Sequence, residues 1–264
     1  MACPRAVRWL LLAGLSLGGP GLAAPPAKPL RVCADPNNLP FSNQQGLGFE
    51  NALAEMLGAT LKRPVEYTWW AQRRGAIRST LKAGLCDVVM GVPTSLQVLE
   101  VTVPYYRSSY VFVTRADAVT ISSFDDPRLR YWAIGVQLVG DDYHNTPPVH
   151  ALSARGISDN VRGYSVLGDY AEPLPAARIL EAVERREVDV AIVWGPLAGY
   201  FALHHPGLRL TPTPADDGPL PMRFEIGMGV RRADHQLRQE LDSFIVQQRP
   251  RIDQLLVRYG VPRP

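Results

Sequence analysis

Short runs of β-branched and aliphatic residues alternate along this chain with stretches whose apolar positions recur every three or four residues. The first such stretch sets Phe49, Leu53, Met56, Leu57 and Leu61 on one face, which predicts a helix over residues 49–62. Residues 30–34 before it and 65–70 after it read as strands, with Pro64 marking the helix end. A second helix, over residues 74–82, buries Ile77, Leu81 and Leu85, and Gly84 supplies the stop. Residues 87–92 then form a continuous β-branched run, the mark of a strand buried on both faces of a parallel sheet. Two strand–helix units with short connections imply right-handed crossovers.

The alternation resumes beyond residue 113. Residues 131–137 predict a strand, 140–148 a long polar turn, and Pro175 opens a helix bearing Ala176, Ile179, Leu180 and Val183. Residues 188–194 are the next strand, stopped by Gly195-Pro196, and 208–213 another. The Pro-rich segment 211–221 serves as a return linker, and residues 224–231 re-enter the first sheet. Asp234 caps a helix with Leu237, Leu241, Phe244 and Ile245 inside, and a last helix runs from Pro250 to Gly260. The expected class is α/β: two doubly wound lobes joined by a two-stranded hinge. Lobe one takes residues 28–113 and 222–264, and lobe two takes 114–221. The outward crossing is placed at residues 112–115 and the return at 221–227.

Ahead of lobe one stands an export signal. Arg5 and Arg8 precede the short apolar run 9–17, and small residues follow, with cleavage placed after Ala23. The run is too short and too broken by Gly and Pro to span a bilayer. Without Arg5 and Arg8 the 28 basic residues fall to 26 against 25 acidic ones. That near-neutral balance gives no electrostatic case for nucleic acid or anionic membranes. The two cysteines beyond the signal, Cys33 and Cys86, each stand at the start of a strand expected to neighbour the other. In an oxidising compartment they would form a disulfide; the alternative is two buried thiols.

Function concentrates at strand ends. The run 87–92 ends in a tight turn of small polar residues, Pro93-Thr94-Ser95, and ligands of open α/β sheets sit outside such strand ends. With Tyr105-Tyr106 and the strand 110–113 that follow, the arrangement resembles the type-2 periplasmic solute-binding proteins. Amino-acid-binding members of that superfamily carry an Arg just beyond this turn, whose planar fork matches a carboxylate. Gln97 stands there instead, and Trp194 stands where an Asp would hold the amino group. Both ionic anchors are missing, which argues against an amino-acid ligand.

These departures resemble a narrower family, the MoxJ/XoxJ-type proteins encoded with PQQ-dependent methanol dehydrogenases. The likeness rests on Cys33-Ala-Asp-Pro-Asn-Asn-Leu-Pro-Phe-Ser-Asn43, Gly48-Phe-Glu-Asn51, Tyr67-Thr-Trp-Trp70 and Arg73-Arg74-Gly75 in the first lobe. Cys86-Asp87, Gly91-Val-Pro93 and residues 104–113 extend it, as do Ile134-Gly-Val-Gln137 and residues 190–202 in the second lobe. It implies a periplasmic, non-enzymatic accessory that supports the quinoprotein, with that dehydrogenase as partner. The lanthanide form is preferred to the calcium form, and its cytochrome c would be a second partner. No cofactor, metal or membrane span is expected for the chain itself.

Beside the resemblance stands an aromatic cleft. Phe41, Trp69, Trp70, Tyr105, Tyr106, Tyr143 and Trp194 fall at strand ends or cleft loops, with Asn38, Pro93, Thr94 and Gln137 as polar or turn positions among them. Such a set suits an apolar insert, either a small hydrophobic molecule or a partner segment. Trp69 and Trp194 could equally cap the lobe cores. Arg73 could meet an acidic group at the cleft mouth, although paired arginines at a helix start are more often solvated. The competing function is an ABC-type receptor for a small uncharged or aromatic solute. Enzyme motifs fail: residues 163–168 miss the Gly-x-Ser-x-Gly elbow by one position, and no zinc or phosphate-loop motif is present. Asp141, Asp142 and His144 lack the spacing of a calcium loop.

Overall fold

The structure, a computed structural model, describes residues 1, 27–73, 75–138, 146–165 and 174–262. The signal read at residues 1–23 lies outside these apart from Met1, as do Arg74, Asp141, Asp142, Tyr143 and His144. Among the described residues no helix is long and apolar enough to cross a membrane.

Lobe one is built on β1 (Leu30–Ala34), β2 (Val65–Trp69) and β3 (Val88–Pro93), with β1 parallel to both neighbours. The first crossover, α1 (Phe49–Leu61), buries Phe49, Leu53 and Leu57 completely. It begins where it does because the Asn51 side-chain oxygen accepts from the backbone N–H of Gly48 at 3.1 Å and of Asn43 at 3.0 Å. That satisfies donors the helix start would otherwise leave open. The second crossover shrinks to one turn, α2 (Ala76–Ser79), in place of the helix expected over 74–82. Thr80 ends it by turning its hydroxyl back onto the Ala76 carbonyl at 2.7 Å.

The Cys33–Cys86 disulfide joins β1 to the turn before β3. Beside it, the Asp87 carboxylate accepts from Arg31 at 2.6 and 3.1 Å and from Arg231 at 3.2 Å, with Arg63 4.0 Å away. Burial works to raise the Asp87 pKa, yet the arginine hydrogen bonds outweigh it and hold the group at about 2.

Lobe two comprises β4 (Tyr106–Arg115), β5 (Ile134–Leu138), α3 (Pro147–Ser153), β6 (Val161–Ser165), α4 (Arg178–Glu184), β7 (Val190–Trp194), α5 (Gly195–Ala202) and β8 (Leu208–Pro212). The chain then returns through β9 (Arg223–Val230) to α6 (His235–Gln247) and α7 (Arg249–Arg258) in lobe one. The strand order is β2-β1-β3-β9-β4-β7-β5-β6, with β8 also along β4. Gly195-Pro196 ends β7 and also opens α5, because proline in a first helical turn forfeits no bond. Pro147 and Pro148 do the same for α3, part of which stands where a polar turn was expected.

Two strands cross between the lobes. Tyr106–Ser109 pairs antiparallel with Arg223–Ile226, while from Tyr110 onward β4 pairs with β7. The outward crossing therefore precedes residues 112–115, which are held within the lobe-two sheet by β7 and β8. A further join lies behind this ladder. The Tyr200 ring of α5 stacks on Tyr259 at 5.9 Å, and Ser108 Oγ donates to the Pro262 carbonyl at 3.2 Å. Gly199 and Gly260 meet backbone to backbone: a Cβ on Gly199 would fall 1.9 Å from the Gly260 carbonyl oxygen.

Candidate binding cleft

The C-terminal ends of β3, β5 and β7 and the loop after β1 converge on the gap between the lobes, where open α/β folds take ligands. Two adjoining chambers occupy it. The first, about 290 Å³, is walled by Phe41, Tyr110, Trp194, Leu197, Phe224 and Ile226, with Asn38, Gln137 and Thr146 as its polar edge. The second, about 360 Å³, runs beneath lobe one along Asp35, Glu50, Gln72, Gly91 and Tyr106. Asn38, Phe41, Pro93, Trp194 and Ile226 border both.

Trp194 is the residue that ties the walls together. Its ring meets Tyr110 edge-on at 5.3 Å and Phe224 at 5.9 Å. Its backbone N–H donates to the Gln137 side-chain oxygen, which fixes the strand end from lobe two. Offset and edge-on ring packing of this kind adds to the apolar area buried.

The floor of the second chamber is polar. Asp35 is fully buried and accepts from the backbone N–H groups of Asn37 and Gln72, both at 2.8 Å. Burial raises its pKa, while those two bonds and the Arg73 charge act against the rise. Glu50, on the first turn of α1, lies over Gly91: a Cβ there would stand 2.2 Å from Glu50 Oε1 and 3.7 Å from the Tyr105 hydroxyl. Burial, with the Asp35 charge added, pushes the Glu50 carboxyl up to about 8. The Tyr105 hydroxyl and the Gln72 side-chain nitrogen are buried with no hydrogen-bond partner.

Of the residues singled out from sequence, Asn38, Phe41, Pro93, Gln137 and Trp194 border the first chamber, and Tyr106 the second. Tyr105 is fully buried in the lobe-one core, its ring 4.9 Å from that of Tyr106, and borders neither chamber. Trp69 stacks on Tyr67 at 4.7 Å, and Trp70 and Arg73 are exposed, all outside both chambers. Thr94 is half-buried and hydrogen-bonds through its backbone to Glu225. Gln97 is exposed, and its carbonyl takes a hydrogen bond from Arg232. Tyr143 lies outside the described residues. Sequence reasoning missed Tyr110, Phe224 and Glu50. An acid in a first helical turn ordinarily signals only the helix dipole, and nothing local to Glu50 says otherwise.

Residues 30–261 match the bacterial extracellular solute-binding proteins, family 3. Protein MoxJ of Methylorubrum extorquens is 32% identical over 255 residues, covering 91% of this chain and 83% of that protein. The crystal structure of periplasmic binding protein XoxJ from Methylobacterium extorquens superposes with a TM-score of 0.72 at 32% identity, covering 89% of this chain and 99% of that one. MxaJ from Methlophaga aminisulfidivorans superposes with a TM-score of 0.76 at 25% identity, covering 88% and 99%.

Proposed function

The chain belongs to family 3 of the bacterial extracellular solute-binding proteins and is of the MoxJ/XoxJ type, and from that premise we propose that it is a periplasmic, non-enzymatic accessory of a PQQ-dependent methanol dehydrogenase. It binds the dehydrogenase and aids its assembly or activation, with the lanthanide form as the favoured partner and its cytochrome c as a further contact. One observation carries the reading: the inter-lobe cleft is walled by rings from both lobes, and no arginine borders either chamber among the described residues. A carboxylate-bearing nutrient would find no forked cation there. An apolar insert would find Phe41, Tyr110, Trp194 and Phe224 around it. Contact with walls from both lobes favours the closed form, which couples occupancy to hinge angle. In the same reading, residues 1–23 are the export signal.

The test is a pull-down from periplasm with wild-type and Trp194→Ala protein side by side. The wild type is expected to retain the dehydrogenase and the variant to lose most of it, with circular dichroism showing both folded. Equal retention, or none by either, refutes the proposal. A second reading, a receptor for a small uncharged or aromatic solute, is favoured by chambers of about 290 and 360 Å³, a size that suits small ligands. A rise in melting temperature with such solutes, by mass action, would select it.

A further inference from the structure

The ring-walled chamber leads into a second one whose character is opposite. Glu50, half-buried, borders it with no side-chain ion-pair or hydrogen-bond partner among the described residues, while Asp35 stands behind with full burial. Two acids in an apolar wall repel one another, and leaving a carboxyl there unpaired is unfavourable. Gly91 makes room for it, since any side chain at that position would meet the Glu50 carboxyl. Two further polar groups converge without partners. The Tyr105 hydroxyl, on a residue with no exposed surface, approaches the same face of Gly91, and the Gln72 amide nitrogen borders the chamber.

We propose that this floor is a cation subsite: Glu50, backed by Asp35, receives the ammonium or guanidinium head of a ligand whose apolar body lies against Phe41, Trp194 and Phe224. The proposal rests on the apolar-insert reading of the cleft and adds to it the chemistry of the insert. An ammonium group has three donors, for which the Glu50 carboxylate and the Tyr105 hydroxyl oxygen are the idle acceptors, whereas the Gln72 amide nitrogen is itself a donor; charge-assisted bonds to a carboxylate are the strong ones. The head could be carried by a free amine or by a Lys or Arg side chain of a partner segment. The groups facing Glu50 are Asp35 from the loop after β1 and Tyr105 and Tyr106 from the start of β4, with Arg73 acting on Asp35. Without a cation beside it Glu50 holds a proton up to about pH 8, so cation binding must release it.

Phenethylamine and phenethyl alcohol have the same shape and differ in the head, and acetyl-Phe-Lys-Phe-amide and its norleucine counterpart repeat the comparison on a peptide. Titration calorimetry with the whole protein is expected to show at least one cationic probe binding about tenfold or more tighter than its neutral twin. Its affinity should climb by up to tenfold per pH unit between about pH 6 and pH 8, with proton release visible as a dependence on buffer ionisation heat. Glu50→Gln should bring the twins to within about twofold. The wild-type pH series carries the test alone if that variant fails to fold. A preference in the amine pair points to a free ligand, and in the peptide pair to a partner segment. If the neutral twins bind and the cations gain nothing, the subsite is refuted while the apolar cleft stands. If none of the four binds, both are refuted.

Discussion

Asp87 offers the sharpest check on the physical account of lobe one. Its side chain is 7% exposed and is held by Arg31 and Arg231, with Arg63 nearby. The folded protein keeps its pKa at about 2, against 3.8 for the free side chain. At about 1.4 kcal/mol per tenfold change in proton affinity, that depression corresponds to about 2.5 kcal/mol of stability. The sign follows from the direction. A group with a lowered folded pKa stabilises fully above its unfolded value, near 4, and loses its contribution as pH falls through its folded value near 2. Asp87→Asn removes the charge at every pH and leaves the arginines facing an amide. Urea unfolding of both proteins between about pH 2 and pH 6 should show a gap of about 2–3 kcal/mol at the upper end. The two curves should converge at the acid end, where protonated Asp87 resembles asparagine. A gap that stays constant across the range would refute the assignment of that stability to ionised Asp87.

Two further outcomes follow from the same lobe. The Cys33–Cys86 bond spans a sequence separation of 53, for which chain-entropy reasoning gives about 4 kcal/mol, so Cys33→Ala/Cys86→Ala should lower the urea midpoint by a corresponding amount. An unchanged midpoint, or two free thiols in the unreduced protein by mass spectrometry, would remove the bridge from the account. Gly91→Ala should displace the Glu50 carboxyl from the face of Gly91 toward solvent, at a stability change of about 1 kcal/mol or less because the flexible end of a side chain can move. Carboxyl-carbon NMR should then show the Glu50 pKa falling from about 8 toward its ordinary 4.5, and an unmoved titration would contradict the geometry.

What could be read in advance follows from which signals are local. The runs at β3 and β7 are β-branched and uninterrupted, and both stand as strands within a residue or two of their expected bounds. The pair Cys33 and Cys86 was open to prediction for the same reason, since Cys33 lies in β1 and Cys86 just before β3, two strands that parallel pairing brings together. α5 was hidden because Gly-Pro signals a stop and a start with the same letters. β6, Val-Arg-Gly-Tyr-Ser, pairs on one side only, and such an edge position needs no apolar run. At the cleft, Trp194, Phe41 and Gln137 were legible because strand ends and their loops face the crevice. Trp69 and Trp70 follow a strand end too, yet β2 is the outermost strand of lobe one and delivers them away from the gap. Glu50 acquires its character from burial and from the Asp35 charge, beside Gly91, all set by tertiary packing, so only the tertiary structure reveals it.

The contact of Gly199 with Gly260 bears on cleft width. With each backbone pressed against the other, the separation of α5 from the segment after α7 is set by the absence of two methyl groups. A single added carbon at either place acts as a wedge between the two backbones, beside the stacked rings of Tyr200 and Tyr259. The distance between Phe41 and Trp194 could thus be tuned by a change that touches neither, and chains differing only there would grade one shared chamber into several bores.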